Sequence, residues 1–429
     1  MTSAASSFAS SSDFRLMLRN GVRVFPVHYV RGGTSTGVVI HERIAPRDPM
    51  LREELLRHIM GVPLSGEEVG NRQITGLGRG AATSNKAFFA DVERLPDGRS
   101  RLVSTLAQLA ADHSRIDWSV NCGNLSSALQ LWAIDMALID ASTPGFNAID
   151  IRNTNTSTII TSRMWVEANG RFADARIPGV MGSFPAVDLF LLDPIGAKTG
   201  ALLPTGNAFD IIEGCRVSCV DVAVPMVIAR ASDFGKTTHE PLAALTDDTV
   251  FLGKAKAVWV EAGLRMRLAR KDGAPMSRDE IARSETIPKF CIVGEPREGG
   301  DLSVRYFTPQ SAHASLAVSG GCCLAAATLI PGSVAHDIAP KLATPEFSEV
   351  RVAIENPAGT LDTTVRVRRS GDWPTISMAA YRRSAQILMK GYLPLYNASA
   401  ALQAALDHDS VGGDVRLEAP EGRGGLGSK

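Results

Sequence analysis

Two side chains stand where proton chemistry is available to them. In "IDWSVNCGNLSSALQLWAID" (Ile116 to Asp135) an alternating run leads to Cys122, then to Gly-Asn, then to an apolar segment of helical character. A helix start leaves N–H groups unpaired and carries a partial positive charge. A thiol placed there has its thiolate stabilised. Lys86, in "TSNKAFF", has apolar neighbours on its C-terminal side, and burial there would lower its pKa toward that of a usable base. Each residue also has a plainer role open to it, the thiol as a small core hydrophobe and the lysine as a snorkelling strand-start side chain. The Asn and Gly flanking Cys122 favour chemistry, since they add amides and close backbone approach rather than core volume. His313, in "SAHAS", has a ring able to bind or protonate a ligand, or to fill the core.

Other residue clusters point away from metals and nucleotides. Cys215, Cys219 and Cys291 fall on expected strands, and Cys322 and Cys323 inside an apolar helix. None forms a CxxC pair or has histidines at ligand spacing, so neither a metal site nor a disulfide framework is expected. A reducing, cytoplasmic setting follows. "GLGRG" lacks the GK[ST] ending of a phosphate loop and the spacing of a dinucleotide site. Lys+Arg and Asp+Glu both number 45, so no overall field advertises nucleic acid or an acidic membrane as partner. No apolar run reaches membrane-spanning length, and "MTSAASSFASSS" lacks the features of a signal peptide.

The elements that must position these residues follow from periodicity. "VRVFPVHYVRGGTSTGVVIHE" predicts two strands around a small-residue turn, and "DPMLREELLRHIMGVP" a helix. A Gly-rich loop then leads through Ser84, Asn85 and Lys86 into a strand. After short strands to about Arg171, "GVMGSFPAVDLFLLDPIGAKTGALLPTGNAFD" reads as a loop crossing into a second domain. "CRVSCVDVAVPMVIAR" predicts a strand pair, roughly 242–268 is helical, and "IPKFCIVG" is a strand. "SAHASLAVSGGCCLAAATLIPGS" repeats the pattern around Cys122: strand, a corner at Ser319-Gly320-Gly321, helix. Two such units suggest a duplicated architecture, with both helix starts turned to one cleft that suits a small molecule bearing several carboxylates. "YRRSAQILMKGYLPL" reads as a helix into a strand, followed by a short Ala-rich helix and a tail.

Together these segments resemble the PrpF family, which includes isomerases of 2-methylaconitate, methylitaconate and aconitate and a tautomerase of 4-oxalomesaconate. "RGGTSTG" is similar to the family's RGGTSKG, "TSNKAFF" to its TSKVAI and "NCGNLSSAL" to its NCGN. "TGALLPTGNAFD", "VSCVDVAVPMV", "IPKFCIVG", "HASLAVSGG" and "RRSAQILMKG" continue the series in order along most of the chain. The resemblance implies an α+β, diaminopimelate-epimerase-like fold: two similar α/β domains, each with a sheet wrapped around a central helix, and the active site between them. It implies residues 15–183, completed by about 378–408, as the first domain and 184–377 as the second, between tails at 1–14 and 409–429. Carried over by motif, Lys86 and Cys122 are the acid/base pair. Thr34, Ser35, Thr36, Ser84, Asn124, Leu125, Ser126, His313, Gly320 and Gly321 are the substrate-binding set, with no metal and no cofactor, and a homodimer is compatible with the family.

Three departures qualify that transfer. Epimerases of this fold place a second thiol where this chain has Ser319, and a serine without a base partner does not replace a thiolate. Thr36 stands where the commonest family motif has lysine, and Arg79 in the "GLGRGAATSNK" loop is a candidate replacement cation. A gapless match sets Asn85 against the family lysine, so Lys86 as the base takes a one-residue shift. The expected function is a cofactor-independent allylic isomerase of an unsaturated di- or tricarboxylate. The alternatives are a racemase or epimerase of the same fold, and a non-catalytic accessory to an aconitase-like iron–sulfur dehydratase.

Overall fold

The computed structural model describes residues 14–80, 85–118, 121–270, 272–284 and 286–411. Ser84 and most of both expected tails lie outside them. In the N-terminal half, β1 (Val22–Gly32) turns back into β2 (Ser35–His41), both rich in the β-branched and aromatic residues that suit a pleated surface. Helix α1 (Pro49–Met60) starts where the Asp48 carboxylate accepts from the N–H groups of Met50 and Leu51 and ends at left-handed Gly61. Strands β3 (Lys86–Arg94) and β4 (Ser100–Leu109) lead to α2 (Gly123–Ser126) and α3 (Leu129–Asp135), then to β5 (Gly145–Asn153), β6 (Ile159–Val166) and β7 (Phe184–Leu192). The C-terminal half runs β8 (Cys215–Val222), β9 (Val224–Arg230), α4 (Thr249–Arg265), β10 (Lys289–Gly294), β11 (Leu302–Thr308) and α5 (Val318–Ala327). It ends with β12 (Ser348–Asn356), β13 (Gly359–Arg368), β14 (Thr375–Pro394) and α6 (Ala400–Val411).

Strand pairing repeats between the halves. From β1 to β6 successive partners alternate antiparallel, parallel, antiparallel, parallel, antiparallel. From β8 to β13 the same order recurs. Both parallel steps in each half are made across a helical connection, as parallel neighbours require. The duplication expected from the two strand-corner-helix segments is thus present in the ladder itself. β6 pairs with β7, β7 with β14, and β14 with β1, which closes the first sheet into a ring. Inside it α2 and α3 bury Leu125, Leu129 and Trp132, and one continuous core joins these residues to Cys322, Cys323 and Leu324 of α5.

Three local expectations are corrected. The Gly- and Pro-dense segment expected as a loop contains β7, whose run "AVDLFLL" is apolar enough for a central strand with partners on both sides. The run expected as helix then strand lies, all but its last residue Leu395, within the 20-residue β14. Ladders to β13, β7 and β1 outweigh the helix preference of its Arg, Gln, Leu, Met and Lys residues. The single helix expected after Cys122 is two short ones, joined where the N–H groups of Ser127 and Ala128 bond three residues back at 3.2 and 3.0 Å. Among the described residues no helix is long and apolar enough to cross a membrane.

Candidate active site

The parallel register of β2 and β3, Val38 beside Ala87, sets Gly37 next to Lys86. Alternation then turns Ser35, Gly37 and Lys86 toward α2, and Thr36 and Val38 to the opposite face. Lys86 Nζ lies 3.3 Å from Cys122 Sγ and 3.4 Å from Ser35 Oγ. Ser35 Oγ is 3.7 Å from the same sulfur, so amine, thiol and hydroxyl form a closed triangle. Lys86 is only 6% exposed, and no carboxylate pairs with it among the described residues. Cys122 is the residue before α2 and is half-buried. Its carbonyl accepts from both the N–H and the hydroxyl of Ser126, each at 2.9 Å, and its N–H donates to Asn121 Oδ1 at 2.7 Å. The thiol is therefore held from both sides along the backbone.

Asn85, the rival in the gapless match, is fully buried and engaged elsewhere. Its Oδ1 accepts from the Arg79 N–H at 2.7 Å, and its Nδ2 donates to the Gly80 carbonyl at 2.9 Å. The structure brings Lys86, not Asn85, to the thiol. Two cavities, one of about 390 Å³ beside Arg176, Glu298 and Arg351 and one of about 330 Å³ beside Lys236 and His239, include neither Lys86 nor Cys122. Lys86 and Cys122 set a group able to donate a proton beside one able to accept it, with no competing ion pair among the described residues.

A family model described as "PrpF protein" matches residues 22–396. The chain belongs to the PrpF family. It is 32% identical to the 4-oxalomesaconate tautomerase of Pseudomonas putida, over 85% of this chain and 94% of that protein. It is 30% identical to the (4E)-oxalomesaconate Delta-isomerase of Novosphingobium sp., over 85% and 96% respectively. The crystal structure of a methylitaconate-delta-isomerase superposes with a TM-score of 0.73 at 25% identity, covering 91% of this chain and 97% of that one. The α+β, diaminopimelate-epimerase-like fold expected from the motifs is the fold present.

In this PrpF chain the expected binding residues divide into groups. Thr34 is exposed, and its hydroxyl accepts from Asn124 Nδ2 at 3.2 Å. Ser35 touches both members of the pair. Leu125 has its side chain in the core, while the N–H groups of Gly123, Asn124 and Leu125 precede the first helical bond. Ser126 donates its hydroxyl to the Cys122 carbonyl and so braces the residue that carries the thiol. Thr36 lies on the other face of β2, where the Tyr29 hydroxyl donates to it at 3.3 Å and the Arg79 guanidinium sits 5.2 Å from the Tyr29 ring centre. Arg79 is therefore beside Thr36, but across the strand from Ser35.

The second-half residues are less committed to the pair. His313 Nδ1 accepts from the Ser315 N–H at 3.0 Å, and its ring packs edge-on to Tyr306. Helix α5 begins at Val318, so the expected corner Ser319-Gly320-Gly321 is its first turn. The Gly321 N–H is taken by the Ala317 carbonyl at 2.8 Å, while the Gly320 N–H has no partner among the described residues. Ser84 lies outside the described residues.

Sequence reasoning missed Tyr381 and Arg383, both on β14. The Tyr381 hydroxyl lies where a Cβ on Gly123 would meet it at 2.7 Å, one residue from Cys122. Burial pushes that phenol well above its usual pKa, so it stays a neutral donor. A strand reading of "AAYRRSAQ" was the signal available: in alternation Tyr381 and Arg383 share one face.

Proposed function

We propose that the chain catalyses a cofactor-independent shift of a carbon–carbon double bond in an unsaturated di- or tricarboxylate, with Lys86 and Cys122 moving the proton. That it is an isomerase follows from the family and from relatives named for isomerisation or tautomerisation. The observation that carries the residue assignment is the 3.3 Å contact between Lys86 Nζ and Cys122 Sγ in a largely buried setting. Amine with thiol, or ammonium with thiolate, the pair holds one base and one acid in either arrangement. The base takes a proton from the carbon next to the double bond. The electrons left behind delocalise through the double bond into a carboxylate as a dienolate. The acid returns a proton two carbons away, so that atoms and charge balance and the double bond has moved. Ser35 holds the two groups at one spacing, and the N–H groups of Gly123, Asn124 and Leu125, which have no partner among the described residues, are the donors nearest at hand for the developing charge.

We extend the proposal to a cytoplasmic enzyme, in keeping with six cysteines that are all free thiols, and to the two-domain division at residues 183/184 and 377/378. A homodimer is proposed on the family resemblance alone, and light scattering tests it. Proton NMR in D₂O with 2-methylaconitate, methylitaconate, aconitate and 4-oxalomesaconate in separate tubes tests the chemistry. Deuterium entry with a displaced double bond in one tube, lost in Lys86→Ala and in Cys122→Ser, is the expected result. Undiminished turnover in either variant overturns the assignment of that residue.

A further inference from the structure

We propose that Arg383 is the receptor for a substrate carboxylate that takes no part in proton transfer, and that it thereby selects substrates with an additional carboxylate beside the Lys86–Cys122 pair. This rests on the polycarboxylate reading above and names the group that would enforce it. Arg383 is 8% exposed. Its Nε donates to Asn124 Oδ1 at 2.9 Å and its Nη1 to the Arg382 carbonyl at 3.1 Å, while Nη2 has no hydrogen-bond partner among the described residues. No carboxylate pairs with it there. The neighbouring Arg382 shows the ordinary arrangement, with Nε and Nη2 on the two Asp188 oxygens at 2.8 and 3.0 Å. A guanidinium stays charged in proteins, and burying it without a counter-ion is costly. An arriving carboxylate supplies the missing partner.

Position ties this cation to the reacting pair. Asn124, which holds Nε, is two residues from Cys122 and also donates to Thr34. A Cβ on Gly33 would lie 2.5 Å from Asn124 Oδ1 and 3.1 Å from Arg383 Cδ, so only glycine lets the β1–β2 turn close over both side chains. That turn continues directly into Ser35, which touches Lys86 and Cys122. On the other flank the guanidinium sits 5.0 Å from the Tyr381 ring centre, and Tyr381 meets Gly123. With Nε fixed by Asn124, the outer edge of the planar fork is oriented before a ligand arrives, and that edge matches a carboxylate in two-pronged fashion. Arg31 also lacks a carboxylate and its Nη2 is unpartnered among the described residues, but that nitrogen is fully buried, Nε donates to Gln386 Oε1 at 3.4 Å, Nη1 is spent on the carbonyls of Gly33 and Ser384 at 2.9 and 3.0 Å, and the guanidinium lies over Phe184. It braces the turn.

Isothermal titration with tricarballylate, a saturated tricarboxylate, and with glutarate, which has two carboxylates, tests the assignment. Arg383→Gln is expected to weaken tricarballylate binding about 100-fold and to leave glutarate within about threefold. Arg383→Lys is expected to recover part of the loss, since it keeps the charge without the fork. Asn124→Asp gives the cation an internal counter-ion and is expected to weaken tricarballylate as Arg383→Gln does, with Arg383 in place if the glutamine variant fails to fold. On the substrate that the wild type turns over, Arg383→Gln should raise KM with kcat little changed. Tricarballylate binding within about threefold of wild type in both Arg383→Gln and Asn124→Asp overturns the proposal, as does a wild type that does not bind it. A wild type inactive on every unsaturated polycarboxylate, yet binding tricarballylate in an Arg383-dependent way, would sink the isomerase reading and uphold this one.

Discussion

Gly37→Ala probes whether strand spacing sets the distance between Lys86 and Cys122. A Cβ at Gly37 would lie 2.6 Å from the Lys86 carbonyl oxygen and 2.7 Å from Leu125 Cδ2. Each is short of ordinary contact by about 0.7–0.8 Å. The carbonyl belongs to a strand that runs parallel to β2, and it cannot rotate away without opening that ladder. Leu125 is fully buried and sits three residues after Cys122. The added methyl therefore pushes at once on the element that carries the amine and on the one that carries the thiol. Overpacking of this size costs about 1–3 kcal/mol of stability. Displacement of a reacting group by a sizeable fraction of 1 Å costs a factor of about 10–100 in rate. Steady-state kinetics should show kcat down by about that factor with KM nearly unchanged, alongside a melting temperature lowered by a few degrees. Gly253→Ala is the control: it lies on α4 with nothing within 4 Å of the new Cβ, and it should leave kcat alone and hold or raise stability. A Gly37→Ala protein that loses stability yet keeps kcat within about twofold of wild type would refute the idea that β2, β3 and α2 fix the pair by mutual contact.

Ser35→Ala removes the hydroxyl that touches both Nζ and Sγ, and kcat should fall about tenfold with little change in KM, read from the same kinetics. His28 is buried against Asp135, its Nε2 3.0 Å from Oδ2, with Lys390 and His41 also facing it. Burial is the larger effect and lowers the His28 pKa from 6.5, so the unfolded chain takes up the proton first as pH falls. The stability this contributes is complete above pH 6.5 and is lost as pH drops through the folded value. Melting curves between neutral and acidic pH should decline more steeply for wild type than for His28→Gln; equal slopes would show that another group governs the window.

The sequence carried the strand pair around Gly33, the helix capped by Asp48 and the helices that follow Cys122 and Ala317, because each is set by local periodicity and turn chemistry; the strand expected just before the second corner is irregular chain between Ala312 and Val318, and that corner lies inside the helix. Cys122 and Lys86 were legible as types in a setting. Their mutual contact was not, since it depends on the parallel register of β2 with β3, which no local pattern encodes. The same gap hid Arg383. "YRRSAQILMKG" has the composition of a helix, and only ladders to distant strands make it extended. At Ser126 and Thr36 the motif did not carry the partners the fold supplies: the Ser126 hydroxyl donates to the Cys122 carbonyl, and the Thr36 hydroxyl accepts from Tyr29.

Strand β14 pairs with β1 at one end and with β7 and β13 at the other. In the order of synthesis, β1 and β7 emerge long before the strand that lies between them. Until then the N-terminal half carries two long strand edges with unmet hydrogen bonds, the kind of surface that invites pairing between chains. The nascent chain is thus most prone to aggregate after β7 and before β14. Closing the ring waits on a contact separated by most of the sequence, which makes it a slow step by topology. Arg383 and Tyr381 ride on that same late strand. The side chains that meet Gly123 and Asn124 beside Cys122 are therefore in place only once β14 is laid between β1 and β7.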